Sequence, residues 1–426
     1  MTRVIHTGDT HVGYRQYHSP DRRQDFLDAF EAVIDDAVDA DVDSEGPDAP
    51  LANGGAVDAV VHAGDLFHDR RPDLPDLLGV LSALRDLSAA GVPFLAVVGN
   101  HEATRGSQWL DLFSDLGLAT RLDDTPTVVG DTAFYGLDHV PRSRRDDLDY
   151  DFVPHDADTA ALVAHGLFTP FPHADWDTET VLEEATVDFD AVLLGDNHVP
   201  DRAEIEGTWV TYCGSTERAS ADERDARGYN LVEFGPDAGG DATVDIRRRS
   251  LDTRPFVFVD VELSPGEGVD RVREQVRQHD LSEAVVVVTI TGDGDPVAPA
   301  TVEEAAVEDG ALIARVTDHR AVGGDATAAA PDVDFADPDA AVRERLRGME
   351  LSSLGRRLDE TVRDDAVADS NVRDRVAEFV ADADPVAVVN DEVDEADGDS
   401  SSDADDETPD ANADDPEDQV SMEDFL

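Results

Sequence analysis

Three carboxylates, one amide and several imidazoles stand at or just past the carboxyl ends of apolar runs in this chain. They are Asp9 and His11 in "RVIHTGDTH" (3–11), Asp65 and His68 in "VDAVVHAGDLFH" (57–68), and Asn100 and His101 in "PFLAVVGNHE" (93–102). His165 closes "ALVAHG" (161–166), and Asp196 and His198 close "DAVLLGDNH" (190–198). In open α/β sheets, ligands bind in the crevice at the carboxyl ends of the strands. Five separate segments therefore deliver oxygen and nitrogen donors to one edge. Hard oxygens and imidazoles without a paired thiolate suit two hard or borderline divalent ions such as manganese, and suit a structural zinc less well. Two such ions clamp the attacking and leaving oxygens of a phosphoryl displacement and make water nucleophilic near neutral pH.

The other histidines carry less. His6 and His62 precede Gly-Asp pairs inside their runs and belong to the core. His139, His155, His279 and His319 lack clustered carboxylates and read as structural or exposed. His173, in "FTPFPHADW", is near enough in sequence to His165 to compete with it or with Asp196 for a ligand role. Cys213, the only cysteine, ends the apolar run "TWVTYC" with no basic cluster beside it, so it reads as a small buried residue. A lone cysteine excludes a disulfide framework and points to a reducing compartment.

Positioning these corners requires strands alternating with helices. After Ser19-Pro20, Phe26, Phe30, Val33, Ile34 and Ala37 share one helical face, and "PDLLGVLSALRDLSAAG" (75–91) repeats the pattern and stops at Gly91. Segment 43–56 reads as a surface loop. From 208 to 251 strand follows strand, as the second half of a layered sheet. "FVFVDVEL" (256–263), a helix at 268–278, "AVVVVTIT" (284–291) and "ALIARV" (311–316) make a small α/β unit. The expected organisation is an α/β layered sandwich over 1–252, a small domain over 253–320 and a linker at 321–337. Two amphipathic helices over 338–382 are suited to a partner's surface, and an acidic disordered tail fills 383–426.

The charge sets the habitat. The chain carries 98 acidic and 33 basic residues, every one of the latter an arginine. Residues 391–426 hold 17 acids and no arginine, so the remaining body still stands at 81 acids against 33 arginines, a net −48. Such a body repels itself in dilute buffer, whereas at molar salt the screening length falls to about 3 Å. The composition is that of a halophilic archaeon's cytoplasm, so a negative net charge does not argue against a nucleic-acid partner. The start "MTRVIHTGDTHVG" enters a strand pattern directly, and no apolar run reaches membrane-span length. A cytoplasmic, nucleoid-associated location is expected.

Asp-x-His, Gly-Asp, Gly-Asn-His-Glu and a late Gly-x-x-His, in that order, resemble the calcineurin-like metallophosphoesterases. More narrowly, "HTGDTHVGYRQY", "AGDLFHDRRP", "GNHE" and "YCGSTERASADERDARGYNLVEF" resemble the nuclease subunit of the double-strand-break repair complex, the SbcD or meiotic-recombination-eleven type. The likeness runs over roughly 1–320 and is looser after 250. It implies a metallophosphoesterase sandwich with a capping domain, and two manganese ions per subunit. Asp9, His11, Asp65 and His198 would hold one ion; Asp65, bridging, with Asn100, His165 and Asp196 would hold the other. His101 would stabilise or protonate the leaving 3′ oxygen, and His68 would orient the scissile phosphate. It implies 3′–5′ exonuclease and single-strand or hairpin endonuclease activity on DNA, a homodimer, and a coiled-coil SMC-like ATPase partner (SbcC or Rad-fifty type) bound through 338–382. The rivals are a DNA-tethering scaffold with weak nuclease activity and a small-molecule phosphoesterase. One position departs from the pattern: the family usually has Gly-His-x-His where this chain has Gly195-Asp196-Asn197-His198, so Asp196 is expected to replace a histidine ligand.

Overall fold

The computed structural model describes residues 1–38, 57–104, 106–236 and 242–320. The expected loop at 43–56, the linker at 321–337, the helices of 338–382 and the acidic tail lie outside the described residues. The elements in chain order begin with β1 (Thr2–Thr7), α1 (Pro20–Val38), β2 (Ala59–His62), α2 (Leu74–Ala89), β3 (Phe94–Ala96), α3 (Trp109–Asp115) and β4 (Thr120–Arg121). They continue with β5 (Thr127–Val129), β6 (Thr132–Leu137), β7 (Thr159–His165), α4 (Thr178–Glu184), β8 (Ala191–Gly195), β9 (Asp201–Ile205) and β10 (Thr208–Tyr212). The rest are β11 (Gly228–Pro236), β12 (Ala242–Ser250), β13 (Phe256–Leu263), α5 (Val269–Val276), β14 (Val285–Gly292), α6 (Pro299–Glu308) and β15 (Ile313–Asp318).

Two six-stranded sheets carry the corners. One runs β12-β11-β1-β2-β3-β4, the other β5-β6-β7-β8-β10-β9. In each the central strands pair in parallel and an antiparallel strand closes an edge. β10 joins the second sheet, while β11 and β12 return to pair beside β1 in the first.

Residues alternate between the two faces. Val4, Ala59, Val61 and Leu95 meet Phe134, Ala161, Val163 and Leu193 in one apolar cluster. Ile5, Val60 and Phe94 face the other way, against Phe30, Val33 and Ile34 of α1 and Val80, Leu84 and Leu87 of α2. Both faces of the parallel strands are thus covered, which is why they read as nearly continuous apolar runs. Each fully buried large side chain on α1 contributes roughly 1.5–3 kcal/mol. Burial on both sides leaves the strand ends as the places where polar groups can converge. The third sheet, β13-β14-β15, is all parallel, with α5 and α6 supplying Val272, Val276, Val302 and Ala306 to its core.

Candidate metal centre

The turns leaving β1, β2, β3, β7 and β8 meet at one place. Past β1 and β2 the two loops keep pairing: the Asp9 N–H donates to the Gly64 carbonyl at 3.0 Å, His11 to Asp65 at 3.0 Å and Val12 to Leu66 at 2.9 Å. The His101 N–H donates to Asp65 Oδ1 at 2.9 Å, bringing in the loop after β3. From the second sheet, the Asp196 N–H donates to both Asp9 carboxylate oxygens at 3.0 and 3.1 Å.

This crowding has backbone consequences. Asp9, His11, Asp65 and Asp196 all have positive φ (48°, 43°, 57° and 90°), a region that non-glycine residues seldom occupy and that costs about 1–3 kcal/mol each. Glycines make the close approach possible. Gly64 has φ +92°, and a Cβ there would stand 2.4 Å from His165 Nδ1; a Cβ on Gly99 would stand 2.0 Å from Asp65 Oδ1.

The side chains form two adjoining groups. His11 Nε2 and His198 Nε2 face each other at 3.0 Å, and Asp9, His11 and His198 are close enough to share one ion. On the other side His165 Nε2 lies 2.9 Å from Asn100 Oδ1, 3.5 Å from Asp65 Oδ2 and 3.8 Å from Asp196 Oδ1. Asp65 Oδ2 is also 3.9 Å from His11 Nε2, so it stands between the two groups, buried and without a hydrogen-bond donor. Two imidazole nitrogens pointed at each other and a buried orphan carboxylate oxygen are what a cation-binding pocket presents. The residues fit divalent ions.

Three of the imidazoles are oriented by their far nitrogen. His165 Nδ1 donates to the Ala63 carbonyl at 2.7 Å, His101 Nδ1 to the His68 carbonyl at 2.9 Å, and His198 Nδ1 to Glu223 Oε1 at 2.8 Å. Each leaves Nε2 turned to the centre, as ligand imidazoles require. The neighbouring charges favour the ionised forms of His198, His165 and Asp65 despite burial, whereas burial lowers His11 well below the usual histidine range. Burial alone would lower His198, but Glu223, Asp9 and Asp196 lift it to about 9. Burial likewise opposes protonation of His165, yet Asp65 and Asp196 hold it well above the usual histidine range. Burial would raise Asp65, and the neighbouring His165 and His101 hold it well below the ordinary aspartate value. Asp9 is pushed up to about 6, chiefly by burial.

All nine residues singled out from the sequence lie in this neighbourhood. His68 and His101 lie against each other at one side, with ring centres 4.9 Å apart and planes tilted by 33°. His173 is exposed and takes no part in a candidate cluster among the described residues. His6 and His62 are buried in β1 and β2. His139, read as structural or exposed, is half-buried with its ring 6.1 Å from His165, and its N–H donates to the Val98 carbonyl. Two carboxylates were not anticipated. Glu223 is held by the Ala219 N–H at 2.9 Å and by Arg227 at 3.3 Å while orienting His198. Glu102 accepts from the Gly99 and Phe67 N–H groups, stapling the loops after β3 and β2; burial raises it to about 7.

Residues 2–200 match the calcineurin-like phosphoesterase family. The chain is 68% identical over 380 residues to the DNA double-strand break repair protein Mre11 of Haloferax volcanii, covering 89% of this chain and 81% of that one. It is 59% identical over 399 residues to the Mre11 of Halobacterium salinarum, covering 94% and 97%. The chain belongs to the Mre11 family. A relative from Methanosarcina acetivorans is 41% identical over 382 residues, covering 87% of this chain and 59% of its own. The haloarchaeal sources of the first two agree with the acidic, lysine-free composition. The sandwich expected from the motifs is the fold observed. Among the described residues no helix is long and apolar enough to cross a membrane.

Proposed function

We propose that this protein is a manganese-dependent DNA nuclease of double-strand-break repair, cutting phosphodiester bonds as a 3′–5′ exonuclease and as an endonuclease on single strands and hairpins. The observation that carries the reading is Asp65 Oδ2, buried without a donor between His11 Nε2 and His165 Nε2. Asp9, His11, Asp65 and His198 would hold one ion, and Asp65, Asn100, His165 and Asp196 the other. Ions bound there supply Lewis acidity for the phosphate and for an attacking water. Asp65 would serve both ions through Oδ2, whose direction is fixed because Oδ1 is already engaged by the His101 N–H. His198 keeps its orientation through Glu223, and His165 through the Ala63 carbonyl. His101, anchored through Nδ1, presents Nε2 to the leaving 3′ oxygen and gives it a proton. His68, beside it, orients the scissile phosphate. Residues 253–320 would cap the nuclease body, and 338–382 would bind a coiled-coil SMC-like ATPase. The protein would act as a homodimer.

The test is degradation of 3′-labelled duplex at molar potassium chloride with manganese, alongside a small phosphomonoester. We expect DNA cleavage that falls about 10²–10⁴-fold in His101→Asn, the range for losing a positioned acid. Hydrolysis of the phosphomonoester without DNA cleavage would contradict the assignment.

A further inference from the structure

Beside the carboxylate-bearing groups stands a cluster made of imidazole alone. The rings of His11, His68 and His101 lie with centres 4.7, 4.9 and 5.4 Å apart, and one nitrogen from each falls within 4.8 Å of the others. His11 and His101 are buried, and His68 is half-buried with the Tyr14 ring against it at 4.1 Å. His101 donates its Nδ1–H to the His68 carbonyl, so a cation would meet this ring at Nε2, displacing any proton there. The two outer rings stand edge-on to His11, at 71° and 76°.

We propose that His11, His68 and His101 form an inhibitory metal site that takes zinc and withdraws His101 from catalysis; this rests on the reading of His101 as the acid for the leaving oxygen. A set of three imidazoles without a carboxylate discriminates against manganese and favours zinc, which stands later in the divalent affinity series and accepts three-histidine sets. Zinc–nitrogen bonds of about 2.0–2.1 Å place tetrahedral ligands about 3.4 Å apart, so side-chain shifts of about 1 Å close the trio. A cation on His101 Nε2 occupies the position from which the proton would leave. His11 belongs to both sets, so zinc in the trio and manganese on Asp9, His11 and His198 contend for one side chain.

The experiment is equilibrium dialysis of the full chain at molar potassium chloride, with radioactive zinc at micromolar level in millimolar manganese, and manganese counted in the same samples. The expected result is one zinc per chain in the unmodified protein, weakening as manganese is raised. Zinc affinity should fall about 100-fold or more in His68→Gln, beyond the loss typical of an outer-shell change, and stay unchanged in Asp196→Asn. Circular dichroism at molar potassium chloride reports whether each variant is folded, and His101→Gln replaces His68→Gln should the latter fail. Zinc held equally by both histidine variants, zinc lost in Asp196→Asn, or no zinc on the unmodified protein would overturn the proposal. Absence of manganese from the unmodified protein would instead sink the two-ion reading, while the dependence on His68 would still decide the zinc site.

Discussion

Asp196 is the residue at which this chain departs from its family's usual pattern. Its carboxylate reaches to 3.8 Å from His165 Nε2 and its N–H is spent on Asp9, while the exposed His173 lies in no candidate cluster among the described residues. On the proposed reading, two divalent ions against three carboxylates would leave a charge of +1, where two carboxylates would leave +2. An added carboxylate tightens cation binding and weakens the Lewis acidity available to the substrate. Asp196→His should therefore weaken manganese binding by about tenfold and move the alkaline-activated limb of the pH–rate profile to lower pH. Unchanged affinity and an unchanged profile would contradict this. The corner residues were readable because chemistry-bearing types recur at the ends of apolar runs. Glu223 was not readable: it lies 25 residues from His198 within "ADERDAR", where several acids look alike, and only the folded loop selects one.

At the scale of elements, Arg121 of β4 ties the frame behind the loop that carries Asn100 and His101. Its guanidinium donates to Asp111 Oδ1 at 2.8 Å and to Asp138, whose other oxygen accepts the Val98 N–H at 2.7 Å. Asp111 also accepts the Gln108 N–H at 2.7 Å, pinning the start of α3. Burial would raise the Asp111 carboxyl, but the Gln108 N–H and Arg121 outweigh it and hold it below 3.8. A depressed carboxylate stabilises the fold above its unfolded value and loses that contribution as pH falls through the folded one. Asp111→Asn should thus cost about 0.5–1 kcal/mol near neutrality, discounted because the pair is one-third exposed. The deficit should begin to shrink as pH falls below 3.8 and vanish below the folded value, as measured by urea unfolding at molar salt. A deficit that persisted in acid would show that the charge is not its source. α1 and α2 were legible from periodicity, with starts and stops marked by Pro20 and Gly91. α3 and α4, two turns each, are too short to display a period, and the apolar face of α6 is mostly alanine. β5 is only three residues long, and the Gly130-Asp131 turn that joins it to β6 was the signal that could have placed both.

For the whole molecule, the fold buries its apolar residues in layers and leaves an acidic exterior suited to concentrated salt. Layering was legible because both-face burial writes continuous apolar runs. The return of β11 and β12 to the first sheet was not, since pairing partners leave no mark on a strand's own sequence. The partner reading concerns 338–382: removing that segment should abolish co-purification of the ATPase while manganese-dependent cleavage remains. Retained co-purification would place the partner's footing elsewhere. The most direct test of the account is anomalous diffraction at the manganese edge from crystals soaked in that ion. Two peaks should appear, one touching Asp9, His11 and His198, the other touching Asn100, His165 and Asp196, with Asp65 reaching both. A single peak, or none among these side chains, would contradict it.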